Sequence, residues 1–160
     1  MAQCKLGDIF EAGCGVAQND VEAVRWFKKA AEQGNVNAQC KLGALFAEGR
    51  GVEQSDVQAA HWFTKAASLG EAVAQHHVGM FFANGTGVGQ SDEEAVRWYK
   101  KAADQGFAMA QGKLGGMHAE GRGVEQSNAA AFRKCAVQLR HFLQRRPRRG
   151  AKRRRGSAVV

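Results

Sequence analysis

Cys4, Cys40 and His76 stand at one register of the sequence, 36 residues apart. Thiols and an imidazole in line are the donors a zinc ion takes. Zinc needs its ligands about 2.0–2.3 Å from one point, whereas neighbouring helices run about 8–10 Å apart. The spacing therefore argues against a shared metal, and His77 points away from His76 on any helix. Cys4 and Cys40 are equally ill placed for a disulfide, whose Cα atoms lie within about 7 Å. Free thiols in a reducing compartment are the expectation. The turns Gly13-x-Gly15-Val16, Gly49-x-Gly51-Val52, Gly85-x-Gly87-Val88 and Gly121-x-Gly123-Val124 look like phosphate loops. They lack a Gly-Lys-Ser/Thr and fall at helix C-termini, where the dipole repels anions. None of Ser55, Ser68, Ser91, Ser127 and Ser157 stands in Ser-x-x-Lys or Gly-x-Ser-x-Gly. With no nucleophile–base pair, no metal set and no cofactor motif, the chain reads as non-enzymatic.

The same period of 36 governs the elements that position these groups. Ala2-Gln3 returns as Ala38-Gln39, Ala74-Gln75 and Ala110-Gln111, and Trp26-Phe27 as Trp62-Phe63 and Trp98-Tyr99. A fixed period of this length marks a solenoid whose units bury their apolar faces against each other. Each unit reads as two helices. Helix A covers about residues 2–12, with Ala2, Leu6 and Phe10 on one stripe. Gly13 suits the left-handed position after a helix, and Gly15 lets the chain reverse. Asn19, Ser55 and Ser91 then read as N-caps, each with Glu22, Gln58 or Glu94 three residues on, the signature of a capping box. Asp20, Asp56 and Asp92 add charge where the helix dipole favours it. Helix B buries Ala23, Phe27, Ala30 and Ala31, and Gly34, Gly70 and Gly106 end it. Gly7, Gly43, Gly79 and Gly115 lie inside helix A, where glycine costs about 1 kcal/mol against alanine. A close-packed neighbour is the expected compensation, with Trp26 or Trp62 as its candidate.

Stacked helix pairs predict an all-α, right-handed α-solenoid with the A helices on its concave side. On that side fall Lys5 and Asp8, then Lys41 and Glu48, then His77, Met80 and Asn84, then Lys113 and Glu120. Cations along one edge and acids along the other suit an extended peptide carrying a carboxylate or acidic side chains. The plainer reading is of ordinary solvated residues, since a solenoid must expose something there.

These residues resemble the Sel-one-like repeat (SLR) family, relatives of the tetratricopeptide repeats. The pattern A-x-x-x-L-G-x-x-[YF]-x-x-G-x-G-V…D-x-x-x-A-x-x-W-[YF]-x-K-A-A-x-x-G is met from Ala2 to Gly34 and from Ala38 to Gly70. It is met from Ala74 to Gly106 with Val78 for leucine. In the fourth unit helix A and its turn fit, although His118 replaces the core aromatic. The resemblance implies a scaffold or adaptor that binds proteins or peptides, and it brings no catalytic residues. Units are expected at 2–37, 38–73, 74–109 and 110–144, the last modified as a cap with Phe132, Cys135, Ala136, Leu139 and Leu143 at helical spacing.

Charge divides the chain. Residues 1–125 carry 12 Lys/Arg against 15 Asp/Glu, a net of −3, and residues 126–160 carry 11 Lys/Arg and no acid, giving +8 in all. After Pro147 closes the last helix, residues 145–160 read as a disordered basic tail. Arg145, Arg146, Arg148, Arg149, Lys152, Arg153, Arg154 and Arg155 suit a nuclear-targeting signal or a contact with nucleic acid or an anionic surface. A nuclear or nucleic-acid-associated adaptor is thus the alternative function, and a gene-model artefact the alternative origin of the tail. No stretch reaches the roughly 18 apolar residues of a membrane span, and no signal peptide opens the chain. An intracellular setting, cytoplasmic or nuclear, is expected. Met1-Ala2-Gln3 matches Met109-Ala110-Gln111 in phase, so the chain also reads as a piece of a longer array.

Overall fold

The computed structural model describes residues 2–123. In order, they form α1 (Ala2–Ala12), α2 (Asp20–Glu32), α3 (Val36–Glu48), α4 (Asp56–Ser68), α5 (Ala72–Asn84), α6 (Asp92–Asp104) and α7 (Ala108–Glu120). There is no strand among the described residues, and each helix packs on the next. The result is an all-α repeat solenoid in which α1, α3, α5 and α7 are A helices and α2, α4 and α6 are B helices. From α3 onward the A helices begin two residues before the Ala-Gln pair.

The B helices start where the caps place them. Asn19 Oδ1 accepts from the Glu22 N–H at 3.1 Å, and Ser55 and Ser91 Oγ accept from Gln58 and Glu94 at 3.3 Å. The reciprocal half of a capping box is not made. Instead the N–H groups of Asn19, Ser55 and Ser91 are donated to the carbonyls of Phe10, Phe46 and Phe82, each at 2.9 Å. The cap residue thus ties helix B to the A helix before it. Glu22 and Glu94, released from that duty, pair with Arg25 and Arg97 one turn on.

Close helix packing rests on the helix-A glycines, and their neighbour is not tryptophan. A Cβ on Gly7 would stand 2.6 Å from the Phe27 ring, one on Gly43 2.9 Å from Phe63, and one on Gly79 2.8 Å from Tyr99. The tryptophan precedes this aromatic by one residue, which rotates it about 100° round the helix. It therefore faces the preceding repeat. Trp62 is 6% exposed and completes the core of α2 and α3, while Trp98 packs against the core of α4 and α5. Lys29, Lys65 and Lys101 lie over Trp26, Trp62 and Trp98 at 4.6, 4.6 and 4.0 Å from the ring centres, a favourable cation–π arrangement.

The core is divided accordingly. One cluster joins α2 to α3, a second α4 to α5, and a third α6 to α7. Each unit's B helix shares its apolar surface with the following unit's A helix. Polar side chains close the same junctions. Gln39, Gln75 and Gln111 donate their amides to the carbonyls of Ala31, Ala67 and Ala103 at 3.1, 3.2 and 3.2 Å. Those carbonyls belong to the last turn of a B helix, where each also accepts the N–H of Gly34, Gly70 or Gly106, so the glutamine supplies a second bond from the following repeat. The second glycine of each turn does more than reverse the chain. A Cβ on Gly51, Gly87 or Gly123 would overlap the carbonyl of Asp20, Asp56 or Asp92 in the preceding repeat. Between these glycines and their partners, Arg50 reaches Asp20 (Nη2 to Oδ1, 3.0 Å) and Arg122 reaches Asp92. At the intervening junction the register holds Thr86.

Two expected outcomes follow from this packing. Gly43→Ala should destabilise the chain by about 1–3 kcal/mol, the usual cost of overpacking. Combining it with Phe63→Leu should cost less than the sum of the two single changes, because the atoms that clash are removed. Urea unfolding of the four species checks this. The second concerns the buried Gln39 Oε1, which has no hydrogen-bond partner. One repeat later, Gln105 Nε2 donates to Gln75 Oε1 at 2.8 Å and to the Gly70 carbonyl at 3.0 Å. Leu69 occupies that register, 59% exposed, with Gln39 and the Gly34 carbonyl as the corresponding acceptors. Gln33 shares the register too, but no described residue supplies the counterpart of the Gly70 carbonyl, and Gln3 Oε1 stays unpaired. Leu69→Gln should therefore stabilise the chain by about 0.5–1.5 kcal/mol, read from the same unfolding curves.

Candidate functional site

Among the described residues, the A helices, locked at close range by their glycines, carry two depressions. The first, about 420 Å³, spans α1, α3, α4 and the start of α5. Its floor is apolar: Cys4, Cys40, Ala44, Val73 and the edge of Phe63, with the His77 ring stacked on Phe63 at 4.4 Å between centres. Asp8, Lys41, Asn37 and Glu71 complete its lining. The second, about 370 Å³, lies between α5 and α7 and is lined by Met80, Asn84, Tyr99, Lys113, Met117, Glu120 and Arg122 among others.

The residues picked from the sequence are thus gathered in two groups. Asp8, Lys41 and His77 meet in the first depression, and Met80, Asn84, Lys113 and Glu120 in the second. Lys5 and Glu48 are exposed and line neither. Glu48 lies 3.5 Å from Arg50 Nη1. Lys41 is not a free cation, since its Nζ stands 2.7 Å from Glu11 Oε2 on α1, and that bond raises its pKa. His77 is half-buried rather than displayed, and burial holds its pKa below the ordinary imidazole value, helped by His76. The tail from Arg145 to Arg155, the expected cap helix with Cys135, and Ser127 lie outside the described residues.

Several lining residues escaped the sequence reading. Cys4 and Cys40 share a register, and here their side chains share a cavity. Both are free thiols. Burial raises both pKa values, that of Cys40 to about 11 with Glu71 adding to it, and that of Cys4 with Asp8 adding to it. Glu71 is the N-cap residue of α5 but makes no side-chain cap bond, whereas Asn35, at the same register, caps α3. That contrast leaves the Glu71 carboxylate on the rim, at a register that holds Asn35, Glu71 and Phe107 in turn and so carries no periodic signal. Beside the site His76 is 2% exposed, among Tyr99 and Phe107 with ring centres 5.5 and 5.3 Å away. Its Nδ1 has no partner. Burial lowers its pKa, with Lys113 contributing. Among the described residues no three His, Cys, Asp or Glu side chains converge as a metal would require, and no helix is long and apolar enough to cross a membrane.

The family model of the Sel1 repeat matches residues 1–35, 36–71, 72–107 and 108–133. The chain belongs to the Sel1 repeat family. Among solved structures it is similar to a Sel1 repeat protein of Oxalobacter formigenes, at 35% identity and a TM-score of 0.75 over 78% of this chain and 51% of that one. A protective antigen of uropathogenic Escherichia coli strains with an SLR fold matches at 37% identity and a TM-score of 0.76, over 86% of this chain and 30% of that one. The cysteine-rich protein B of Helicobacter pylori matches at 26% identity and a TM-score of 0.60, over 71% of this chain and 87% of that one. The chain thus spans about half the length of the Oxalobacter protein and less than a third of the Escherichia one. Comparison with curated sequences gives no match. Sel1 repeat proteins are generally protein-interaction scaffolds, typically without catalytic activity.

The two histidines give this Sel1 array a pH dependence of known sign. Their folded pKa values lie below the unfolded value of about 6.5. The unfolded chain then binds protons that the folded rings refuse, so stability is complete above that pH and falls as the pH drops below it. The melting temperature should decline between pH 7.5 and 5.5. His76→Cys, which installs the residue of the two preceding repeats, should flatten that decline.

Proposed function

We propose that the chain is a non-catalytic scaffold that holds an extended peptide segment of another protein on the face formed by its A helices. The observation that carries this reading is the first depression. It is an apolar hollow bounded by polar side chains from three successive A helices, the lining expected of a recognition site. At about 420 Å³ it takes one or two side chains rather than a folded domain. Its chemistry suits binding better than catalysis. A nucleophilic cysteine needs a thiolate, and the Cys4 and Cys40 environments favour the thiol. His77, the nearest imidazole, is committed to its stack on Phe63. The second depression, one repeat further along the same face, offers a polar continuation for the same segment.

Ala44 is half-buried and lines the hollow, so Ala44→Trp should fill it from the side. Peptides selected on the wild-type chain should bind this variant at least about 10-fold more weakly. Because Ala44 also packs against the core of α4 and α5, the variant should lose at most about 1–3 kcal/mol of stability and keep a cooperative helical unfolding curve, which urea titration checks. Unchanged peptide affinity would place binding elsewhere.

A further inference from the structure

The charges round the first depression specify the peptide it takes, on the reading that this hollow is a peptide site. We infer that the occupant sets a cationic side chain beside its apolar anchor, not an acidic one. Asp8, from α1, and Glu71, at the start of α5, line the hollow from two sides. Neither has an ion-pair partner among the described residues. Lys41 is the one cation in the lining, and its ammonium is taken up by Glu11 at 2.7 Å. Glu11 also draws in Arg50 at 3.7 Å, so that guanidinium too is engaged. Among the described residues the three ionised side chains of the lining sum to −1: Lys41 is bonded to Glu11 and also acts on Asp8, which leaves Glu71 as the carboxylate with no cation beside it. The floor supplies no compensation, because the His77 imidazole, half-buried and stacked on Phe63, is held by burial below the ordinary imidazole pKa. The acids reach the floor electrostatically, since Asp8 acts on Cys4 and Glu71 on Cys40.

A Lys or Arg next to a buried aliphatic or aromatic anchor answers this arrangement. The anchor displaces water from Ala44, Val73 and Phe63, and the neighbouring cation meets Asp8 or Glu71 at the rim. A peptide acid at that place would face two carboxylates, and complementary or like charge at a rim decides which partner is admitted.

The test uses the full 160-residue chain and amidated, acetylated heptapeptides with Leu, Phe, Val or Trp at the centre. Lys, Ser or Glu flanks each centre, and calorimetry reads the affinity. Only the binding that Ala44→Trp removes is scored, which excludes contacts with the basic C-terminal sequence. At about 20 mM salt the Lys-flanked set should bind at least about 10-fold more tightly than the Glu-flanked set. That gap should narrow at 0.5 M salt, where screening is nearly complete within a few ångströms. Asp8→Asn combined with Glu71→Gln should close the gap between the Lys-flanked and Glu-flanked sets. A Glu-flanked set that bound as well or better would overturn the charge assignment and leave the peptide hollow standing. So would a gap that persisted in the double variant. Failure of every peptide to show binding sensitive to Ala44→Trp would overturn the hollow itself.

Discussion

Everything in this stack depends on how closely an A helix approaches the B helix that follows it. A ring laid over a missing side chain sets that distance: Phe27 on Gly7, Phe63 on Gly43, Tyr99 on Gly79. Each glycine weakens its own helix by about 1 kcal/mol relative to alanine. Burial of an aromatic ring, 2% exposed at Tyr99 and 0% at Phe27, outweighs that loss. With the two helices fixed, the cap N–H of Asn19 can reach the Phe10 carbonyl, while Gly13 and Cys14 donate to the Ile9 carbonyl inside the turn. The hollow on the A face is a by-product of the same geometry, because the ring that fills the glycine gap at Phe63 also shows an edge to the groove.

Stability beyond the single pair comes from the junctions. Gln39 serves the last turn of α2, and Gln75 that of α4, so every repeat ends its predecessor's helix. Tryptophan works in the same direction, with Trp62 completing the core of the repeat before it. These are nearest-neighbour contacts, the condition under which a solenoid's stability grows by increments.

What could be read from the sequence was whatever is local or periodic. Asn19, Ser55 and Ser91 announce helix starts because a cap acts within three residues, and the glycines announce their turns because a positive φ is a property of one residue. The family likewise followed from phase. What failed to read out was rotation and reach. Phe27 and Trp26 are adjacent in sequence, and only the relative rotation of two helices decides which of them meets Gly7. Lys41 appeared free because its partner, Glu11, lies 30 residues away on another helix. The reciprocal bond of the capping box failed for the same reason: a carbonyl nine residues back competes better for the Asn19 N–H than Glu22 does. For the groove, the sequence located Asp8, Lys41 and His77 on one face but not the division of that face into two hollows.

The seams between repeats are fastened by different chemistry. Repeats one and two are clamped by the guanidinium of Arg50 on Asp20, with Leu69 leaving the amide ladder incomplete. Repeats two and three have Thr86 in place of that arginine, and are joined instead by Gln105 bridging Gly70 and Gln75. Ionic strength loosens the first kind of fastening and hardly touches the second. The array is therefore not a uniform spring. The two seams answer differently to the surrounding electrolyte, and the hollow straddling α1, α3 and α5 lies across both.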